Sequence, residues 1–168
     1  MRYMTSLFTS LFLGNCVLAG DGSAGTFDVT PERLQRAVVS YGNNQRLNRF
    51  LEKAEQGGNL TVGVLGGSIT QGAVCPDSAK CYHGVLLQYL RANFPKSRFT
   101  LVNAGIGATG SNYGAFRAQR DLLSKKPDLV VLEYAVNDQD GLQSALTYEG
   151  IVRQVLTTPE SPRLSCFS

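Results

Sequence analysis

The feature that most constrains this chain is an unbroken aliphatic run. After Pro127 the sequence reads Asp128-Leu129-Val130-Val131-Leu132-Glu133-Tyr134, with no polar residue between Leu129 and Leu132. A strand exposed on one face alternates apolar and polar residues, whereas an unbroken run suits a strand covered on both faces, as in parallel sheets. Two earlier segments, Leu60-Thr61-Val62-Gly63-Val64-Leu65 and Phe99-Thr100-Leu101-Val102-Asn103-Ala104, also read as strands. Helical spacing fills the gaps between them. Leu47, Phe50, Leu51 and Ala54 precede Gly57-Gly58, while Val85, Leu86, Tyr89 and Leu90 lie between Tyr82 and about Asn93, ahead of Pro95. A helix from about Ser111 to Lys125 carries Phe116, Leu122 and Leu123 among its apolar residues, and a last helical piece covers roughly Tyr148 to Leu156. Strands alternating with helices predict a three-layer α/β/α fold around a parallel, flavodoxin-like sheet.

The 168 residues fit one domain, and 43% hydrophobic with 17% charged is ordinary for a globular protein. The net charge of +3 comes from scattered Lys and Arg. There is no basic stripe interleaved with aromatics, so a nucleic-acid partner is not expected. The beginning of the chain differs from the rest. Arg2 precedes an uncharged, mostly apolar stretch from Leu7 to Leu18, and Val17-Leu18-Ala19 offers residues of the size a signal peptidase reads. Residues 1–19 are therefore expected to be a secretory signal peptide, the alternative being a buried N-terminal helix. The run is too short for a membrane span, so the expected location is extracellular. Residues 20–58 read as a leader and an N-terminal helix, and residues 59–168 as the α/β domain.

In an oxidising compartment, Cys75 and Cys81, which bracket the polar segment Pro76-Asp77-Ser78-Ala79-Lys80, are expected to form a local disulfide. A metal site is the competing reading, but two neighbouring cysteines and the single histidine, His83, make a poor ligand set. No metal or cofactor is expected.

Three blocks carry candidate chemistry, each directly after a strand, where sites form in open α/β sheets. Gly66-Gly67-Ser68-Ile69-Thr70 follows the first strand. Tight glycines let the backbone turn and expose the Ser68 hydroxyl as a nucleophile. Ser68 as a plain helix cap is the structural alternative, and a phosphate cradle lacks its glycine pattern and lysine. Asn103-Ala104-Gly105-Ile106-Gly107-Ala108-Thr109-Gly110-Ser111 follows the second strand, with glycines that allow main-chain N–H groups to approach an oxyanion. Ala135-Val136-Asn137-Asp138 follows the third, where the Asn137 amide is a further donor and Asp138 a brace for the loop, or both form an Asx-turn.

In order and spacing these blocks resemble the SGNH (GDSL-like) hydrolases, over about Leu60 to Leu156. The resemblance implies a serine ester hydrolase that needs no cofactor and removes acyl groups from a small molecule, glycan or lipid. Ser68 is then nucleophile and first oxyanion donor through its own N–H, Asn137 is the third donor, and the second is Gly107 or Ala108. The family's usual Gly-Asp-Ser-Leu is here Gly-Gly-Ser-Ile, and Ala135 stands where glycine is common. The family's late Asp-x-x-His block, which carries the base, has no counterpart in these residues; His83 lies before the second block and is expected to cap or pack against the 75–81 loop.

Ser161-Pro162-Arg163-Leu164-Ser165-Cys166-Phe167-Ser168 stands where a fourth strand belongs but has no apolar run. The sheet is thus expected to be incomplete on its C-terminal side, with the third strand an open edge, as in a truncated product. Weak hydrolysis is the leading expectation. A non-catalytic glycan- or acyl-binding pseudoenzyme, or an unstable fragment, is the alternative.

Overall fold

A computed structural model of the protein describes residues 30–37, 43–73, 75, 77–139, 141–158 and 163–166. The expected signal peptide, residues 1–19, and the leader up to residue 29 lie outside them. The chain divides into two units, residues 1–43 and 44–168. In the first, helix α1 (Pro31–Ala37) opens with proline at its first position, where no N–H is needed, and the Thr30 hydroxyl accepts from Arg33 N at 3.3 Å.

The second unit contains α2 (Gln45–Gln56), β1 (Asn59–Gly66), α3 (Ser68–Gln71), α4 (Tyr82–Asn93), β2 (Arg98–Gly105), α5 (Ser111–Asp121), a 3-10 turn (Leu123–Lys125), β3 (Leu129–Glu133), α6 (Leu142–Thr157) and β4 (Arg163–Cys166). All pairings are parallel, in the order β2-β1-β3-β4. The three expected strands are present, each within a residue or two of its expected ends.

Alternation along the central strands sorts side chains to two faces. Leu65, Val130 and Leu132 pack with Ala118, Leu122, Ile151 and Val155 of the α5–α6 layer. On the other face Phe50 of α2 and Phe94 both lie against Phe99 of β2, with ring centroids 6.4 and 6.5 Å apart. Ser97 Oγ donates to Ala54 O at 2.8 Å, tying the end of α2 to the start of β2. Asp128 accepts from Thr61 N at 2.8 Å and pairs with Lys53, which sets the entry of β3 beside β1.

Several expectations are corrected. β3 is not an open edge, because Arg163–Cys166 pairs with Leu129–Leu132. A short edge strand is held by main-chain hydrogen bonds, which an apolar run does not have to supply. Of the apolar residues on the expected helix from Ser111 to Lys125, Leu122 and Leu123 are buried and Phe116 is 90% exposed. The stretch itself leaves α-helical geometry after Asp121 and ends in the 3-10 turn. Finally, α6 starts at Leu142, about one and a half turns before its expected beginning; Leu142 and Leu146 there are exposed, so no buried face marks the start in the sequence.

Candidate active site

Strand register places the three blocks side by side. Gly66 at the end of β1 is level with Gly105 at the end of β2 and with Glu133 at the end of β3. The three following loops therefore leave the sheet at one height, because the parallel strands end in register. The chain turns at Gly67 into the short helix α3, whose first residue is Ser68; Gln71 N donates to Gly67 O at 2.9 Å and Gly72 N to Ser68 O at 3.0 Å. Ser68 is half-buried, and no side chain among the described residues hydrogen-bonds its hydroxyl.

Asn137 lies directly over Gly67. A Cβ at residue 67 would stand 2.5 Å from Asn137 Oδ1 and 3.2 Å from its Cγ. In this arrangement a side chain at residue 67 would have to shift the Asn137 amide. Asn137 is carried on a turn closed by Asn137 N and Asp138 N, which both donate to Tyr134 O at 3.0 and 2.9 Å. Asp138 Oδ1 accepts from Ser111 N at 2.7 Å, so the third block is fastened to the start of α5, where a carboxylate also suits the helix dipole.

The second block approaches from the other side. A Cβ added at Gly107 would lie 3.8 Å from Ser68 Cβ and 2.7 Å from Gln71 Oε1. Gly107 N already donates to Gln71 Oε1 at 2.8 Å. Ala108 has φ +57°, and its N–H has no hydrogen bond among the described residues. A left-handed alanine is strained by about 1–2 kcal/mol, and the turn is braced by Thr109 Oγ1 donating to Ile106 O at 2.7 Å. The structure thus separates the two residues that the sequence left as equals.

Asn103 is a bracket for the second block. Its Nδ2 donates to Thr70 O at 2.9 Å and its Oδ1 accepts from Gly105 N at 2.8 Å. His83, 2% exposed, places Nε2 3.3 Å from Asn103 Nδ2. Its Nδ1 has no partner among the described residues. Burial holds the His83 pKa below the usual imidazole value. His83 therefore lies at the back of the second block, two residues after Cys81. Thr70 Oγ1 also meets Tyr82 Oη at 3.0 Å and donates to Glu133 Oε2 at 3.4 Å. Burial pushes the Tyr82 phenol up to about 12.

Cys75 and Cys81 are free thiols here, where a disulfide was expected. Both turn to the same acceptor: Cys75 Sγ donates to Asp77 O at 3.2 Å and Cys81 Sγ at 3.8 Å. Each sulfur is satisfied without a bridge. Hydrogen bonding with Cys75, then burial, raises the Cys81 thiol to about 11. No group of three or more His, Cys, Asp or Glu among the described residues is placed to hold a metal ion.

Sequence reading missed Arg117 and Tyr134, both buried at the strand ends. Nothing marks Arg117 among the scattered basic residues, and Tyr134 reads only as the end of a strand.

Residues 64–164 match the GDSL-like lipase/acylhydrolase family. The chain belongs to that family. It is similar, at 41% identity and a TM-score of 0.72, to a two-domain esterase active on acetylated mannans and co-crystallized with mannopentaose, over 74% of this chain and 34% of that one. A second crystal structure of a two-domain esterase active on acetylated mannans gives 40% identity and a TM-score of 0.73 over 76% and 34%. AlinE4, an SGNH-hydrolase family esterase, shares the fold at 22% identity and a TM-score of 0.54, over 64% of this chain and 58% of that one. This GDSL-like chain spans about a third of the length of the mannan esterases. No curated protein matches it.

Proposed function

We propose that this chain carries the nucleophile and oxyanion half of a serine esterase that removes acetyl groups from an extracellular polysaccharide of the mannan class. The observation that carries the reading is the convergence of Ser68, the Ala108 turn and Asn137 at three strand ends of equal height. The substrate class rests on the 41% identity to an esterase active on acetylated mannans.

Ser68 Oγ attacks the acyl carbon and gives up its proton, and the carbonyl oxygen becomes an oxyanion. Ser68 N–H, Ala108 N–H and Asn137 Nδ2 donate to that oxygen. Ala108 is preferred to Gly107 because the Gly107 N–H is taken by Gln71 and the Ala108 N–H is free to meet a ligand. Collapse of the intermediate breaks the bond to the sugar oxygen, which takes a proton, and water then releases the acetyl group. The reaction needs no metal or cofactor.

The proton from Ser68 is the weak point. The only imidazole in the 168 residues is His83, which is buried against Asn103, and no Asp-x-x-His sequence occurs. Loss of a serine-activating base lowers turnover by several orders of magnitude. Hydrolysis at full rate would need a base to take the Ser68 proton. The second reading is a glycan-binding module that keeps the cleft without turnover. We further assign residues 1–19 as a secretory signal and Cys75–Cys81 as a bridge formed after export, on the apolar run after Arg2 and on the closeness of the two thiols.

Purified protein assayed with an activated acetyl ester and with acetylated mannan decides between the readings. Turnover abolished in Ser68→Ala supports the esterase. Saturable mannan binding with no Ser68-dependent turnover supports the binding module, and equal turnover in both proteins overturns the esterase assignment.

A further inference from the structure

Arg117 is a buried cation with unusual partners. Its residue is 3% exposed, on α5, and its guanidinium reaches across the ends of three strands. Nη1 donates to Ala104 O at 2.6 Å, and Nη2 donates to Gly66 O at 3.2 Å and to Tyr134 Oη at 3.2 Å. The carboxylate nearest to it, Asp121, is 3.4 Å away and is also held by Arg120 at 2.6 Å. Arg117 Nε is buried with no partner among the described residues.

Burying a guanidinium is costly unless its donors are met, and carbonyls meet a charge less well than a carboxylate does. Stability alone is a poor reason to keep this residue. Its partners supply a better one. Gly66 is the residue before Gly67-Ser68, Ala104 is the second residue of the second block, and Tyr134 immediately precedes Ala135-Val136-Asn137. Gly66 O accepts from Ile106 N at 3.1 Å as well, so that carbonyl already joins the first two blocks. Tyr134 is drawn against α5, where a Cβ at Gly114 would stand 2.2 Å from its hydroxyl. A planar fork with several fixed donors can hold three such groups at once; an ammonium on a flexible stem cannot.

We propose that Arg117 is the positioning residue of the site, a single clamp that sets the spacing between the Ser68 turn, the Ala108 turn and the Asn137 turn. It acts through two main-chain carbonyls and the Tyr134 hydroxyl and does not touch the substrate. Because the oxyanion donors come from those three turns, the clamp governs stabilisation of the intermediate rather than binding of the sugar. The kinetic consequence rests on the esterase reading above; the structural one does not.

Two variants and two measurements test it. In Arg117→Met, with the fold verified by circular dichroism, amide exchange of Gln71, Ile106 and Asn137, one hydrogen-bonded N–H from each loop, should quicken by about ten-fold or more, while Val62 and Val64 in β1 keep their protection. Ser68-dependent kcat should fall by about 100-fold, the scale of one lost oxyanion donor, with KM within about two-fold. Arg117→Lys should recover thermal stability but neither the exchange pattern nor kcat. Unchanged exchange at the three amides overturns the clamp, as does equal acceleration in β1 and the loops, or full recovery of kcat by lysine. If the unmodified protein shows no Ser68-dependent turnover, the esterase reading falls and the exchange pattern alone decides the role of Arg117.

Discussion

Gly67 and Asn137 are packed so closely that residue 67 has no room for a side chain: a Cβ there would come within 2.5 Å of Asn137 Oδ1. Gly67→Ala should push the Asn137 amide out of the site. Kinetic assay should show Ser68-dependent kcat reduced by about 100-fold, as in Asn137→Ala. Both changes remove the same donor, so the double variant should be little worse than either single one. Additive losses in that cycle would mean that Gly67 acts by another route.

Ala108 carries the only strained backbone in the second block, with φ +57°. Ala108→Gly keeps the N–H and relieves the steric penalty of the left-handed region, while adding freedom to the unfolded chain. The net expected change is a gain in stability of roughly 0.5–1 kcal/mol with turnover retained. Chemical denaturation and steady-state kinetics on the same preparation measure both.

His83 makes the fold sensitive to acid. Its folded pKa lies below the ordinary value of 6.5 because burial disfavours the imidazolium. As pH falls through 6.5 the unfolded chain takes up a proton that the folded chain resists, so stability declines until the folded pKa is passed. Above 6.5 the residue contributes no slope. Melting temperatures recorded between about pH 7 and pH 5 should fall, and His83→Gln should flatten that part of the curve. An equal slope in the variant would place the acid sensitivity elsewhere.

Oxidation should join Cys75 to Cys81. Both sulfurs already address Asp77 O, and closing so short a loop is worth about 2 kcal/mol against the unfolded chain. Mass spectrometry of protein held in a glutathione redox buffer should find the 75–81 peptide bridged, and the oxidised form should melt higher than the reduced one. Two alkylatable thiols after that treatment would rule the bridge out.

Much of the fold is legible in local sequence. Unbroken apolar runs locate β1, β2 and β3, and their turn residues locate the three blocks, because burial on both faces and tight turns each demand particular residue types. The failures have the same origin. The early start of α6 at Leu142 was missed because Leu142 and Leu146 there are exposed and leave no apolar face to read. β4 was missed because main-chain pairing leaves no apolar signature over four residues.

The sequence by itself determined that this is a parallel α/β protein with Ser68, the second block and Asn137 at successive strand ends. Those features follow from residues close together along the chain. Tertiary structure decided which of Gly107 and Ala108 keeps a free N–H, how closely Asn137 sits over Gly67, which residue His83 meets, and which strand ends Arg117 joins. Each of these depends on a contact made through space: Gln71 meets Gly107 across 36 residues, and Arg117 meets Gly66 across 51. A hydrogen bond of that span is set by how strands and helices pack, and it leaves no pattern in the stretch of sequence around either partner.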